Sequence, residues 1–142
     1  MIKYMLDTCA CIDAIKGKPH SRKLVQKIQT LRIGELSVSA ITVAELMVGV
    51  EKSSNKGQNL RIVQEFLSPI ELLDWPQLAS ETYAIIRADL EQKGTPIGSN
   101  DMLIAAHALY SGITLITSNT KEFNRVESLK VENWFNIGGQ YP

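Results

Sequence analysis

Three acidic side chains, Asp7, Glu45 and Asp101, stand far apart in the chain, each close to where an apolar run meets an expected helix start. Asp7 closes Ile2-Lys3-Tyr4-Met5-Leu6, Glu45 lies within Ser39-Ala40-Ile41-Thr42-Val43-Ala44-Glu45-Leu46, and Asp101 follows Pro96-Ile97-Gly98-Ser99-Asn100. A fourth polar station, Thr117-Ser118-Asn119, follows Ile113-Thr114-Leu115-Ile116. In an α/β fold the carboxyl ends of parallel strands share one edge, and ligands bind there. Carboxylates gathered at such an edge form an oxygen-rich site suited to Mg²⁺ or Mn²⁺. Carboxylates brought this close repel one another unless a cation neutralises them. A divalent ion would also lower the pKa of a bound water, polarise a phosphoryl oxygen and orient an in-line attack.

Each station also has an ordinary structural role. Asp7 or Thr8 can cap the helix that follows the first strand. Thr42-x-x-Glu45 matches the capping-box pattern, in which the Glu carboxylate turns back to the N-cap amide. Asp101 falls in a first helical turn behind Ser99, the expected N-cap, where the helix dipole favours an acid by about 0.3–1 kcal/mol. Asp101 shares a face with Ile104, Ala105 and Ala108, and an acid on a buried face is costly without a partner. Asn119 reads as a turn residue. The set, rather than any member, carries the chemical reading.

The elements that must position these residues follow from pattern. Ile2–Leu6 reads as a first strand, compatible with a central place in a sheet, and a helix from Thr8 stops at Lys16-Gly17-Lys18-Pro19. Leu24, Ile28 and Leu31 mark an amphipathic helix over Ser21–Leu31. Leu36–Ser39 is a short strand, and Ala40–Val50 a helix ending near Gly49. Leu60, Val63 and Leu67 mark a helix closed by Ser68-Pro69, and Ile70–Asp74 a strand. Ala79, Tyr83, Ile86 and Leu90 give a long helix capped by Gly94. Asp101–Tyr110 is a helix ended by Ser111-Gly112, Thr114–Thr117 a strand, and Val131–Trp134 a last, edge strand. The end, Ile137–Pro142, reads as a loose tail. Strands alternating with helices argue for a parallel sheet covered on both faces, with right-handed crossovers.

At 142 residues, 44% apolar and 21% charged, the chain is long enough for one domain with a real core. Its net charge is zero, so no global field draws it to nucleic acid or membrane. Lys16, Lys18, Arg22, Lys23, Lys27 and Arg32 crowd one stretch. They read first as a solvated helix face and second as a basic shoulder for phosphates. Cys9 and Cys11 lie too close on a helix to face each other, which argues against a mutual disulfide. Free thiols suit a reducing cytoplasm. No secretory signal opens the chain, and Met102–Ile116, the longest apolar stretch, is too short and interrupted to span a bilayer. His107, inside an apolar helix, reads as a packing residue rather than a base.

Together the segments Met5-Leu6-Asp7-Thr8, Ser39-x-x-Thr42-x-x-Glu45-Leu46-x-x-Gly49, Gly98-x-x-Asp101-x-x-Ile104-Ala105-Ala106-His107-Ala108 and Thr117-x-Asn119-x-x-Glu122-Phe123 resemble the PIN-domain family, and within it the VapC-type toxins of toxin–antitoxin pairs. The resemblance covers nearly the whole chain. It implies one PIN-like α/β domain over residues 1–135, a five-stranded parallel sheet flanked by helices, with a short tail at 136–142. It further implies a Mg²⁺- or Mn²⁺-dependent endoribonuclease acting on tRNA, with initiator tRNA a recurrent target. The partners it implies are a VapB-like antitoxin and a second copy of the chain. Metal binding carries over to Asp7, Glu45 and Asp101. Asn119 stands where many relatives have a fourth acid, so the site is expected to be one negative charge short, with Asn119 holding a metal-bound water or orienting Asp101. Thr8, Thr42, Thr117 and Ser118 are the expected supporting hydroxyls, and Cys9 departs from an Asn common in relatives. Three rivals are weaker. A haloacid-dehalogenase-like phosphatase needs a second acid where Cys9 stands. A thiol redox protein needs two residues between its cysteines, and here only Ala10 intervenes. A non-cleaving translation blocker that grips RNA or a partner differs in making no new RNA ends.

Overall fold

The computed structural model describes residues 1–135; the expected tail at 136–142 lies outside the described residues. Five parallel strands form one sheet: β1 (Tyr4–Leu6), β2 (Leu36–Ser39), β3 (Glu71–Leu73), β4 (Thr114–Ile116) and β5 (Val131–Glu132), ordered β3-β2-β1-β4-β5. The first strand of the chain is thus the central one. Met5 and Leu6 are fully buried, as a strand with parallel neighbours on both sides and helices on both faces requires. The expected strand Ile2–Leu6 is shorter at its start, and β5 is the expected edge.

Among the described residues seven α-helices surround the sheet: α1 (Thr8–Lys16), α2 (Arg22–Gln29), α3 (Ala40–Lys52), α4 (Lys56–Leu67), α5 (Ala79–Lys93), α6 (Ser99–Ser111) and α7 (Thr120–Phe123). The helix expected over Ser21–Leu31 is split: Pro19 opens a 3₁₀ turn, Pro19–Ser21, and α2 runs only to Gln29. Gly49 does not stop α3, which continues to Lys52. The four-residue α7 is too short to leave a hydrophobic period and was not anticipated.

Side chains alternate across the sheet, and two cores result. Leu6, Val38 and Ile116 pack with Ala10, Leu24, Leu46 and Val63 of α1–α4. Met5 and Leu115 pack with Ile86, Leu90, Ile104 and Phe123 of α5–α7. Register sets what comes next. Leu6 pairs with Val38 on one side and Ile116 on the other. The residues that follow, Asp7, Ser39 and Thr117, therefore stand level on the carboxyl edge. The amide of Asp7 donates to the Ile116 carbonyl at 3.0 Å, extending the ladder by one residue.

One expectation about this edge is corrected. Asp101 does not sit at a strand-to-helix junction, because α6 follows α5 with no strand between them. α6 instead leads into β4. A helix feeding a parallel strand runs antiparallel to it, so the start of α6 lies at the carboxyl end of the sheet.

Candidate active site

Three helices present acids to this edge from three different helical positions. Asp7 is the N-cap of α1, and its Oδ1 accepts the Ala10 amide at 2.7 Å. Capping and a place in the site coincide there: its other oxygen, Oδ2, accepts the Thr117 hydroxyl at 2.5 Å. Thr117, fully buried, also accepts the Asn119 amide at 2.9 Å. It thereby ties the loop after β4 to the end of β1.

Glu45 lies six residues into α3, not in its first turn. The N-cap is Ser39, whose Oγ accepts the Ile41 amide at 3.2 Å, so the expected Thr42–Glu45 capping box does not form. Helical side chains lean toward the N-terminus, which brings the Glu45 carboxylate back to the edge. There Oε1 accepts the Thr8 hydroxyl at 2.5 Å. The Thr42 hydroxyl stands 3.2 Å from that of Thr8. Oε2 accepts the Asn100 amide at 3.3 Å.

Asp101 is the third residue of α6. The N-cap is Gly98 rather than the expected Ser99, and no side chain caps this helix. Among the described residues none donates a hydrogen bond to the Asp101 carboxylate. With Glu45, Gly98, Ser99 and Asn100 it lines an open cleft of about 260 Å³.

The fourth station differs most from expectation. Asn119, exposed, turns its side-chain amide to Glu122, and Glu122 Oε1 accepts the Gly98 amide at 3.4 Å. Glu122 is, after burial, the largest influence raising the Asp101 pKa, ahead of Glu45. The Glu122 carboxylate thus acts on Asp101 from one turn after Asn119, carried by α7. Ser118, half-buried, makes no hydrogen bond among the described residues.

The electrostatics are those of crowded acids. Burial pushes the Asp7 carboxyl up to about 7, against the lowering effect of its bonds from Thr117 and Ala10; Asp101 and Asp13 add to the rise. Burial, Glu122 and Glu45 lift Asp101 to about 6. Cys9, at the rim, is raised to about 11 by burial and by Asp7, Asp101, Asp13 and Glu45. It is thus a poor thiolate nucleophile. Burial raises Cys11 as well, and both thiols are free. His107 is buried, bonded through Nδ1 to Ser39 Oγ at 2.8 Å, and shifted down by desolvation. It packs, as expected. The six basic residues of the 16–32 stretch are exposed, and Lys27 lies over the Trp134 ring at 5.3 Å. They form a solvated face; of the six, only Lys16 lines the same groove as Glu45.

This donor set suits a hard divalent cation in charge and chemistry. Neighbouring acids held above their ordinary pKa gain most from a cation. Among the described residues no three such groups converge closely enough to enclose an ion unaided. Mg²⁺ tolerates such an open arrangement, because it keeps several waters and takes only one or two carboxylates.

Acids carried by α1, α3 and α6 around the end of a central parallel strand define a class. The PIN domain family model matches residues 4–129. The chain belongs to the PIN-domain family, in its VapC group. It is 41% identical over 134 residues to the tRNA(fMet)-specific endonuclease VapC of Shigella flexneri, covering 94% of this chain and 99% of that protein. It is 43% identical over 135 residues to Ribonuclease VapC2 of Rickettsia felis, covering 92% and 97%. Among solved structures, DNA-bound VapBC from Salmonella typhimurium superposes with a TM-score of 0.88 at 40% identity, covering 94% of this chain and 99% of that one.

Proposed function

We infer that this protein is a divalent-metal-dependent endoribonuclease, the toxin of a toxin–antitoxin pair, acting on tRNA in the cytoplasm. The observation that carries this is the burial of Asp7 at 2% exposure beside Asp101, in a chain 41% identical to a tRNA(fMet)-specific endonuclease. A buried carboxyl held near neutrality by its surroundings is spent chemistry unless a cation or a reacting group uses it.

Asp7, Glu45 and Asp101 would hold Mg²⁺ or Mn²⁺, and Glu122 adds a fourth oxygen donor beside Asp101. When bound, such an ion supplies charge neutralisation, an activated water and a grip on a phosphoryl oxygen. The chain's own groups do the rest. Thr117 and the Ala10 amide fix both oxygens of Asp7. Thr8 holds Glu45 Oε1, and Asn100 steadies Oε2. Asn119 orients Glu122 rather than Asp101. Asp101, with no donor of its own, is the carboxylate best placed to accept a proton at its Oδ atoms. No histidine takes part. Hydrolysis of this kind leaves a 5′-phosphate and a 3′-hydroxyl and does not use the ribose 2′-hydroxyl.

Restraint by an antitoxin has a physical counterpart in the structure. An apolar groove of about 310 Å³ between α1, α3 and α4, lined by Ile12, Ile15, Leu46 and Val63, opens beside Glu45. An amphipathic segment of a VapB-like partner fits there, with an Arg reaching the carboxylates. Several of the similar solved structures are VapBC complexes. Val48 on α3 and Leu72 on β3, each about half exposed, lie on neighbouring elements at the sheet edge and suit pairing with a second copy. No helix among the described residues is long and apolar enough to cross a membrane.

The test is incubation of purified protein with bulk tRNA under Mg²⁺, Mn²⁺ or chelator, followed by mapping of the ends. New 5′-phosphate ends that vanish with chelator are expected. RNA bound without new ends would instead favour a non-cleaving translation blocker.

A further inference from the structure

Two helices carry carboxylates that line one cleft: α3 brings Glu45 and α6 brings Asp101. α3 and α6 pack together, yet they are distant in sequence. Among the described residues two side-chain polar bonds join them. One, Asn100 to Glu45, is exposed at 3.3 Å. The other is buried: His107 Nδ1 to Ser39 Oγ at 2.8 Å, across 68 residues.

The partners of this buried bond are placed to matter. Ser39 is fully buried, ends β2 and caps α3. Its oxygen already accepts the Ile41 amide at 3.2 Å, which leaves its hydroxyl proton free to point elsewhere. The polar atom in reach is His107 Nδ1, and the ring tautomer sets which of the two donates. His107, 2% exposed, lies six residues beyond Asp101 on α6, about 9 Å along the axis at 1.5 Å per residue. Its neighbours Ile104, Ala105, Ala106 and Ala108 are fully buried and apolar, and such groups can slide. A hydrogen bond with fixed donor and acceptor atoms cannot slide without being lost.

We propose that Ser39 and His107 are a pair of positioning residues that lock α6 against the start of α3 and so set the separation of the Glu45 and Asp101 carboxylates. Neither touches a reacting atom. The proposal rests on the ribonuclease reading for its effect on activity, and on geometry alone for its effect on the helices.

His107→Leu puts an apolar side chain of similar size there and removes the polar partner. His107→Asn restores a polar partner where Nδ1 stood. Ser39→Thr keeps both cap and hydroxyl, whereas Ser39→Ala removes them. Mn²⁺ affinity by calorimetry, kcat and KM for tRNA cleavage, and the thermal midpoint are measured for each. Spin labels at exposed positions 44 and 99, in a Cys9→Ser background, report the spacing of the helix starts without any need for activity.

For His107→Leu the expected results are a folded protein, Mn²⁺ affinity and kcat each down about tenfold with KM unchanged, and a broadened label separation. His107→Asn and Ser39→Thr should recover most of the loss, and the Ser39→Ala/His107→Leu double variant should be little worse than His107→Leu alone. A folded His107→Leu with wild-type label separation overturns the proposal, as does a His107→Asn no better than His107→Leu. If wild type itself neither binds Mn²⁺ nor cleaves RNA, the ribonuclease reading fails, while the label separation still decides whether the pair locks the helices.

Discussion

Asp7 is where local structure and chemistry meet most tightly. It caps a helix, receives two short hydrogen bonds and is still held near pH 7 by burial. The sign of its pH linkage follows. A carboxyl raised from 3.8 to about 7 favours folding most when protonated, and that contribution is lost as pH climbs through this window. The ceiling is about 4 kcal/mol, from about 1.4 kcal/mol per pKa unit. Metal-free protein should therefore lose stability between pH 4 and 7, and Asp7→Asn should flatten that decline; urea titrations across pH measure both. Saturating Mn²⁺ at pH 7.5 should raise the midpoint of wild type and leave Asp7→Asn nearly unmoved. Glu122 makes a second prediction at this scale. Glu122→Gln should weaken Mn²⁺ binding by about 10–100-fold, as loss of a ligand or of its close partner does. Asn119→Ala should cost less than Glu122→Gln, because Asn119 acts through Glu122; calorimetry on the pair orders them. The reverse order would return the fourth corner to Asn119.

At the scale of elements, the carboxyl edge depends on loops pinned by buried hydroxyls. Thr117→Val would leave Asp7 Oδ2 and the Asn119 amide without partners. A loss of about 1–3 kcal/mol is expected, the cost of an unsatisfied buried group, read by denaturant unfolding. Gly112 caps α6 at φ 68° with open space around it. Gly112→Ala should thus cost only the left-handed conformation, about 1 kcal/mol, and leave cleavage intact. The strands and long helices were legible in the sequence because each has a period or a break: Met5-Leu6 before Asp7, Gly94 and Gly112 after their helices. The capping box was misread because Thr42-x-x-Glu45 satisfies a local pattern while Ser39, at the true end of β2, wins the cap. The place of Asp101 at the sheet edge was not legible from its neighbours, because residues 94–98 link two helices and no strand runs into α6. Glu122 stood in the family segment without a role of its own, because a single-turn helix has no periodicity to show where its side chain lies.

For the whole molecule, the two cores divided by the sheet do one thing together: in a chain of zero net charge they hold α1, α3 and α6, which carry Asp7, Glu45 and Asp101, around the carboxyl end of β1. The global charge carries no hint of this, and the family pattern does. Membership of the PIN-domain family rests on nearly the full length; the metal and the roles of Asp7, Glu45, Asp101 and Glu122 rest on the site. The most direct measurement is end-mapping of tRNA cleaved by wild type and by Asp101→Asn, with Mg²⁺ and with chelator, at matched fold and concentration. Wild type with Mg²⁺ should give 5′-phosphate and 3′-hydroxyl ends and none with chelator, and Asp101→Asn should lose at least about 100-fold, a barrier change near 2.7 kcal/mol. Cleavage that survives chelator or Asp101→Asn, or ends carrying a 2′,3′-cyclic phosphate, would contradict it.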